Sequence, residues 1–207
     1  MDLSMPLAVV TPTLDAAVLN ALAATTAWAT GAHVQRMAGR GSPDGVRRVL
    51  ARLVRQGIVL AEEHAHATLY LLNRDHVAAG AIVALTRLRG EVIDRLAAAL
   101  STWSPTVAHA SLFGSFARGE ATAASDIDIL VVISPAVAAD PDARAERVDE
   151  LAGHIRRWTG NPAHIVDLTP DVLAAMVAAE DPLVDSWRAD HVHLAGTRLL
   201  DLLGGLS

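Results

Sequence analysis

Two neighbouring stretches of the sequence determine the fold of the C-terminal half: Gly114-Ser115-Phe116-Ala117-Arg118-Gly119, which has the residues of a tight turn, and Ser125-Asp126-Ile127-Asp128-Ile129, which starts a strand-like run. One apolar run, 107–113, precedes the glycine, and another, 129–133, follows the acids. This order predicts a strand, a Gly-Ser turn with a short helix, and a second strand. Side chains alternate along a strand, so both aspartates are expected on one face, where two carboxylates repel each other unless a cation lies between them. Asp126 and Asp128 are therefore candidate metal ligands.

The turn residues have the chemistry that a triphosphate needs. Gly114 allows the backbone to approach a phosphate closely, and the Ser115 hydroxyl can donate to its oxygens. Arg118 can balance developing negative charge. Mg²⁺ prefers one or two carboxylates together with substrate phosphates, so Mg²⁺ or Mn²⁺ is the expected cofactor.

A third acid, Asp167, ends the apolar run 163–166 and precedes Thr169-Pro170-Asp171, which is typical of a helix start. A carboxylate at a strand end could complete the metal site or take the proton of an attacking hydroxyl. The alternative is that Asp167 only caps a helix or stabilises a turn.

These motifs resemble the minimal nucleotidyltransferases of the DNA polymerase beta superfamily, which have a Gly-Ser pair, an Asp-x-Asp about a dozen residues later and a third carboxylate on a later strand. The resemblance implies an α/β (α+β) domain with a mixed sheet, an enzyme that moves a nucleoside monophosphate from a nucleoside triphosphate to an acceptor. It implies that Ser115 contacts the triphosphate and that Asp126, Asp128 and Asp167 are the catalytic, metal-binding acids. Phe116 departs from the pattern, since many relatives have a polar or basic residue there.

The N-terminal half has the pattern of a winged helix-turn-helix domain. Apolar residues recur at helical spacing over 14–22, and Thr30 starts a short second helix that ends at Gly39. Ser42 and Pro43 are a good N-cap and first residue for a third helix, which Gly57 ends. Two strand-like runs, 58–61 and 67–72, follow and would form the wing.

The third helix also has a basic face, formed by Arg47, Arg48, Arg52 and Arg55. Such a face in a DNA groove would neutralise phosphates and supply most of the binding affinity. We therefore expect these arginines to bind double-stranded DNA. The alternative is that they only solvate the outer face of a packed helix.

The predicted organisation is a mainly α-helical winged-helix domain at 1–75, a linker helix at 76–104 and a nucleotidyltransferase domain at 105–207. The alanine-rich stretch with Ile82, Leu85, Val92 and Leu96 on one side indicates the linker helix. The segment before Pro105 indicates its end.

Composition narrows the class of protein. The net charge of −6 argues against general binding to nucleic acids, and the absence of cysteine excludes disulfides and thiolate zinc sites. The start Met1-Asp2 lacks a basic region, so a cytoplasmic location is the default expectation. The uncharged runs 16–35 and 96–117 contain polar residues and proline, and no membrane span is expected.

The histidines receive no role from the sequence alone. His64/His66 and His191/His193 have a spacing that could place two imidazoles on one strand face, but no third ligand is evident nearby. His109 and His164 lie in strand-like runs and are expected to be partly buried.

Two hypotheses follow for the function. In the first, the chain is a nucleotidyltransferase coupled to a DNA-binding domain, with an acceptor that the sequence does not identify; a protein acceptor and a homodimer are both open. In the second, it is a winged-helix transcription regulator whose nucleotidyltransferase-like domain only binds nucleotide or mediates association.

Overall fold

The computed structural model of the chain describes residues 1–103, 107–134 and 141–205. These residues form two compact units. One is Met5–Leu88, and the other combines Met1–Ser4 with Arg89–Ser207.

The Met5–Leu88 unit combines helices with a small antiparallel sheet. A 3-10 helix spans Pro6–Val9. The α-helices are α1 (Leu14–Ala23), α2 (Gly31–Ala38), α3 (Pro43–Arg55) and α4 (Ala79–Thr86). The strands are β1 (Ala29–Thr30), β2 (Val59–His64) and β3 (Ala67–Leu72), arranged in the order β1-β3-β2 with antiparallel pairing.

Local signals explain the helix starts in this unit. The Thr30 hydroxyl accepts a hydrogen bond from the backbone N–H of His33 (3.2 Å), and the Ser42 hydroxyl accepts one from Gly45 (3.1 Å). Both bonds satisfy N–H groups that a helix start otherwise leaves free. Gly39 then ends α2 in the left-handed conformation, with φ 65°. The predicted second and third helices are thus confirmed.

The core of this unit is formed by the helices and the ends of the hairpin strands. Its fully buried members include Val18, Leu22, Val34, Leu50 and Leu72. The hairpin tip, by contrast, is exposed from Leu60 to His66. The buried core of the unit therefore lies among the helices, and the tip of the hairpin contributes little to it.

The second unit is an α/β arrangement around a mixed sheet. Its helices are α5 (Leu88–Ser101), α6 (Gly114–Arg118), α7 (Pro141–Thr159), α8 (Pro170–Ala178), α9 (Pro182–Ala189) and α10 (Leu199–Gly204). Its strands are β4 (Val107–Phe113), β5 (Ile127–Ile133), β6 (Ala163–Leu168) and β7 (His191–Gly196).

In the described residues these strands form one sheet in the order β6-β5-β4-β7. β5 and β6 are parallel, whereas β4 is antiparallel to both β5 and β7. The end of β4 therefore lies at the same edge as the starts of β5, β6 and β7. That edge carries the Gly-Ser turn and the Asp-x-Asp motif.

Apolar side chains cover both faces of this sheet. On one face, alternate residues of β5 pack with α5 and α7; they include Ile129 and Val131. On the other face, Leu130 and Val132 pack with α8, α9 and α10, around the buried Trp187. These two layers hold the strands in fixed register.

The predicted linker helix at 76–104 is two helices, α4 and α5, and the boundary between the units falls between Leu88 and Arg89. Ile82 and Leu85 belong to the core of the first unit, whereas Val92 and Leu96 belong to the core of the second. One apolar stripe in the sequence thus serves two cores. The predicted boundary at 104/105 lies outside the described residues.

The first four residues belong to the second unit and not to the predicted domain at 1–75. Leu3 is buried in that unit's core, and the backbone N–H groups of Leu3 and Ser4 donate to the Ala121 carbonyl at 3.1 and 3.0 Å. Separately, no helix in the described part of the chain is long and apolar enough to cross a membrane.

Candidate active site

The site begins where β4 ends and α6 starts. Gly114 has φ 67°, a left-handed conformation that side-chain-bearing residues rarely adopt. A Cβ atom on this glycine would lie 2.5 Å from Oδ2 of Asp128. Glycine is therefore required here for two reasons, the backbone angle and the space that the carboxylate occupies.

Ser115 and Arg118 lie on the five-residue helix that follows. Ser115 is partly exposed, as a phosphate contact would require. Arg118 is bound to two carboxylates: Nε donates to Glu120 (2.8 Å) and Nη1 to Asp190 (3.1 Å). These hydrogen bonds, with Glu120 the larger contributor, raise the pKa of the Arg118 guanidinium above its usual value. Its predicted contact with a triphosphate would compete with both carboxylates.

The buried position of Phe116 accounts for the apolar residue at this point of the motif. The side chain is fully buried in the core of the unit, and the guanidinium of Arg89 lies 5.3 Å from its ring centroid. Arg89 Nη2 also donates to the carbonyl oxygens of Phe116 and Ala117, each at 3.0 Å. Phe116 therefore packs α6 against the core, and its buried side chain is not accessible to a ligand.

Asp126 stands directly before β5 and is exposed. The loop that leads to it is held by Asn161, which is fully buried. The Asn161 side-chain amide donates to the carbonyl oxygens of Thr122 (3.1 Å) and Ser125 (2.9 Å). This places the first acid of the motif on a fixed backbone.

Asp128 is the second residue of β5 and is paired in register with Phe113 on one side and His164 on the other. Nδ1 of His164 lies 3.2 Å from Oδ1 of Asp128. His164 is the second residue of β6, and sequence reasoning gave it no role. The sequence does hold one signal for His164: if β5 and β6 are parallel and start at the same end of the sheet, their second residues, Asp128 and His164, lie side by side.

Asp167 does not join this group, and its predicted place beside the two acids is wrong. It pairs in register with Val131, three residues beyond the Asp128–His164 pair, which is about 10 Å along the strand. An odd offset also turns its side chain to the opposite face of the sheet. There Asp167 forms an ion pair with Arg144 of α7, whose Nη2 also donates to the Asp167 carbonyl oxygen at 2.7 Å.

The donor set fits a hard divalent cation only in part. Asp128 supplies a carboxylate beside the Gly114 turn, and the exposed Asp126 stands two residues before it; carboxylate oxygens suit Mg²⁺ or Mn²⁺. Among the described residues, however, no three His, Asp or Glu side chains are grouped as a complete metal site. The two aspartates would hold a cation together with the phosphate oxygens of a nucleotide.

His109 forms a buried polar network on β4. Thr197 O can only accept, so His109 Nδ1–H donates to it (2.7 Å), and the Ser111 hydroxyl donates to Nε2 (2.9 Å). Burial lowers the pKa of His109 to about 4, although the bond to Thr197 opposes this shift. The neutral ring therefore joins β4 to the end of β7 and needs no role in the reaction.

The predicted DNA-binding arginines differ in their surroundings. Arg47 forms an exposed ion pair with Asp44 (2.8 Å), and Arg52 is paired with Asp15 of α1. Arg48 and Arg55 are exposed on α3. The four side chains therefore do not form one uniform free surface.

Comparison with known proteins agrees with the geometry of the second unit. Residues 93–173 match the family described as "Nucleotidyltransferase domain". This segment includes Gly114, Ser115, both aspartates of the motif and His164. The chain thus carries a nucleotidyltransferase domain, and it is an enzyme of the nucleotidyltransferase class. Among curated proteins, none matches the sequence significantly.

Several solved structures are similar over part of their length. A toxin–antitoxin crystal structure with AMP-PNP is 21% identical and covers 57% of this chain and 82% of its own, with a TM-score of 0.38. A mutant of the toxin–antitoxin MntA-HpeT is 24% identical, with 54% and 80% covered and a TM-score of 0.38. A Sulfolobus solfataricus structure described as a nucleotidyltransferase is 21% identical, with 51% and 85% covered and a TM-score of 0.28. These TM-scores are too low for the structures to indicate a substrate or a partner of this chain.

Proposed function

We propose that the chain transfers a nucleoside monophosphate from a nucleoside triphosphate to a hydroxyl group of an acceptor, with Mg²⁺ or Mn²⁺ bound at Asp126 and Asp128. The observation that carries this proposal is the contact of the Asp128 carboxylate with the Gly114 turn. In this proposal, the Asp128 carboxylate that binds the cation and the turn that binds the phosphates lie side by side.

In this reaction the acceptor oxygen bonds to the α-phosphorus, and the bond from that phosphorus to the bridging oxygen of the β-phosphate breaks. Pyrophosphate leaves, and the proton of the hydroxyl passes to solvent. A divalent cation would neutralise the triphosphate and orient it for in-line attack. Ser115 and the turn backbone would bind phosphate oxygens, and Asp126 and Asp128 would fix the position of the reacting group.

Changing Asp126 or Asp128 to Asn tests this proposal. Each change removes one negative charge from the cation site and keeps the side-chain shape, so transfer is expected to fall by at least about 100-fold. Transfer is measured with α-labelled ATP, GTP, CTP and UTP as pyrophosphate release and as label on the chain itself, RNA or a protein acceptor. Asp149→Asn, an exposed change on α7, is the control. Near-normal transfer by both motif variants would refute the metal assignment.

A second candidate is nucleotide binding without transfer, in a transcription regulator. The observation that favours it is the loss of Asp167 from the site, which leaves two carboxylates where the resemblance implied three. In this case the wild-type chain would bind a triphosphate in the presence of Mg²⁺, but no labelled acceptor or pyrophosphate would form.

For Met5–Leu88 we propose a winged-helix domain that binds double-stranded DNA through α3. Support comes from the order of three helices and an antiparallel hairpin, and from the exposed Arg48 and Arg55. Arg47 could join them by leaving its exposed pair with Asp44, which is a weak interaction. Arg52 is better explained as a contact between α3 and α1.

A further inference from the structure

The position of His164 follows from the sheet. β5 and β6 run parallel, and Ile127 N–H donates to the Pro162 carbonyl oxygen at 2.9 Å, which aligns the starts of the two strands. His164 is thereby placed opposite Asp128. Register partners in a parallel pair project to the same face, so the imidazole and the carboxylate lie next to each other.

The two oxygens of Asp128 have different neighbours. Oδ1 lies 3.2 Å from Nδ1 of His164. Oδ2 faces the Gly114 turn and lies 2.5 Å from the position that a Cβ atom on Gly114 would occupy. A carboxylate only accepts hydrogen bonds when ionised, so Nδ1 carries the proton in this contact. One oxygen is thus bound by the neighbouring strand, and the other is directed to the turn.

Such an arrangement limits the rotation of the carboxylate. Without a donor on β6, Asp128 could turn about its side-chain bonds and present either oxygen to the turn. Hydrogen bonds to ligating carboxylates orient them in metal sites, and their removal typically lowers metal affinity or activity by 10–100-fold. The His164 side chain itself is 62% exposed, so the core does not depend on it.

We propose that His164 is a positioning residue for Asp128: its Nδ1–H group holds Oδ1 so that Oδ2 faces the Gly114 turn, where cation and triphosphate meet. This inference rests on the proposed function of Asp128 as a metal ligand. In this way β6 contributes to the site through the imidazole of His164, which orients the Asp128 carboxylate. Asp167, three residues later on the same strand, does not contribute.

The test is direct Mn²⁺ binding by the full-length chain, measured by electron paramagnetic resonance titration with a non-hydrolysable triphosphate present. His164→Ala is expected to weaken Mn²⁺ binding by about 10–100-fold. His164→Asn is expected to stay within about threefold of wild type, because its amide N–H can replace Nδ1–H. His66→Ala, in the exposed hairpin turn of the other unit, is the control for unspecific histidine binding.

Spin-echo spectra of the bound Mn²⁺ separate positioning from ligation. Under the proposal, the spectra show no directly coordinated imidazole nitrogen. A coordinated ¹⁴N signal that disappears in His164→Ala would make His164 a ligand and overturn the positioning role.

Asp128→Asn in the same titration separates the two levels of inference. If it leaves Mn²⁺ affinity unchanged, the metal site of the proposed function is wrong, and the role of His164 falls with it. If it weakens Mn²⁺ binding while His164→Ala matches wild type, the proposed function stands and the positioning role is refuted. Equal unfolding midpoints of wild type and His164→Ala, measured by circular dichroism, would exclude a folding defect as the cause.

Discussion

Gly114 carries two constraints that can be separated by mutation. A side chain there meets both an unfavourable φ and the carboxylate of Asp128, whereas Gly119 has a similar φ of 75° with open space around its Cβ position. The two glycines are therefore a matched pair: alanine at either one introduces backbone strain, but only at Gly114 does it displace a candidate ligand.

We predict that Gly114→Ala and Gly119→Ala each lower the free energy of unfolding by about 1 kcal/mol or somewhat more, and that only Gly114→Ala loses metal-dependent nucleotide binding. Urea unfolding measures the first effect, and calorimetric titration with a non-hydrolysable triphosphate and Mg²⁺ measures the second. Equal nucleotide affinity in both variants would show that the space beside Asp128 has no part in binding.

The buried imidazole of His109 makes the stability of the chain depend on pH. Its pKa is about 4 in the folded chain and about 6.5 when unfolded, so the unfolded chain binds the extra proton between these values. Stability is therefore unaffected above about pH 6.5 and falls as the pH decreases towards 4, with a full effect on the order of 3 kcal/mol.

We predict that the imidazole of His109 stays neutral at pH 5.5 with its proton on Nδ1, which long-range ¹H–¹⁵N NMR spectra can detect. His109→Gln should be less stable than wild type at pH 7, because the paired Thr197 and Ser111 groups lose good geometry. Its stability should also change less between pH 7 and pH 5. An ordinary titration near pH 6.5 for His109 would contradict the buried network.

At the level of elements, the register of β6 against β5 decides which residues can act together. Asp167 lies on the α7 side of the sheet and binds Arg144 through side-chain and backbone contacts. Its carboxylate therefore fastens α7 to β6. Its position at a strand end and the family resemblance had both made Asp167 the third acid, but neither of them indicates the register of β6 against β5.

We predict that Asp167→Asn lowers the free energy of unfolding by about 1–2 kcal/mol, because a partly buried charged hydrogen bond is lost, and changes Mn²⁺ affinity less than about threefold. Asp185→Asn is the matched control, since it breaks the more exposed Arg188–Asp185 pair and should be nearly neutral. Loss of Mn²⁺ binding in Asp167→Asn, at unchanged stability, would restore Asp167 to the metal site.

Local signals in the sequence predicted several elements well. Ser42, Pro43 and Gly39 give α2 and α3 their bounds, and the turn at Gly114 with its flanking strands is as expected. These features depend on neighbours in the chain. The hairpin strand β2 extends to His64 and not only to residue 61, because pairing with β3 continues through polar residues.

Features that depend on distant contacts were missed. The periodic stripe from Ile82 to Leu96 indicates helix but not which core each turn joins, so α4 and α5 appeared as one element. The four residues before Met5 carry too little pattern to show that Leu3 enters the second core. His164 also received no role from the sequence, because its contact with Asp128 depends on the pairing of two strands whose residues are 36 positions apart.

For the whole molecule, the uneven charge distribution is the main guide to DNA binding. Residues 1–75 contain seven arginines and six acids, whereas 76–207 contain ten arginines and seventeen acids. A chain with a net charge of −6 has little general affinity for a polyanion, so any DNA binding must come from a locally basic surface. The proposed surface is the exposed part of α3.

We expect that replacing four arginines together by Gln abolishes binding to duplex DNA and leaves nucleotide binding by the second unit intact; the four are Arg47, Arg48, Arg52 and Arg55. The quadruple variant also breaks the Arg52–Asp15 pair, so it could lose binding by unfolding the first unit. The sharper variant is Arg48→Gln with Arg55→Gln. It leaves both ion pairs of α3 in place.

The matched control for this double variant is Arg156→Gln with Arg157→Gln, two exposed arginines of α7 with the same change in net charge. Each phosphate contact contributes about 0.9 to the slope of log affinity against log salt concentration, so the α3 double variant should flatten that slope by about 1.8. The α7 variant should leave it unchanged, because its charges lie in the other unit. Fluorescence anisotropy titrations of labelled duplex DNA at several salt concentrations measure both slopes. Equal losses in the two variants would mean that only net charge matters, and an unchanged slope in the α3 variant would remove α3 as the DNA-binding surface.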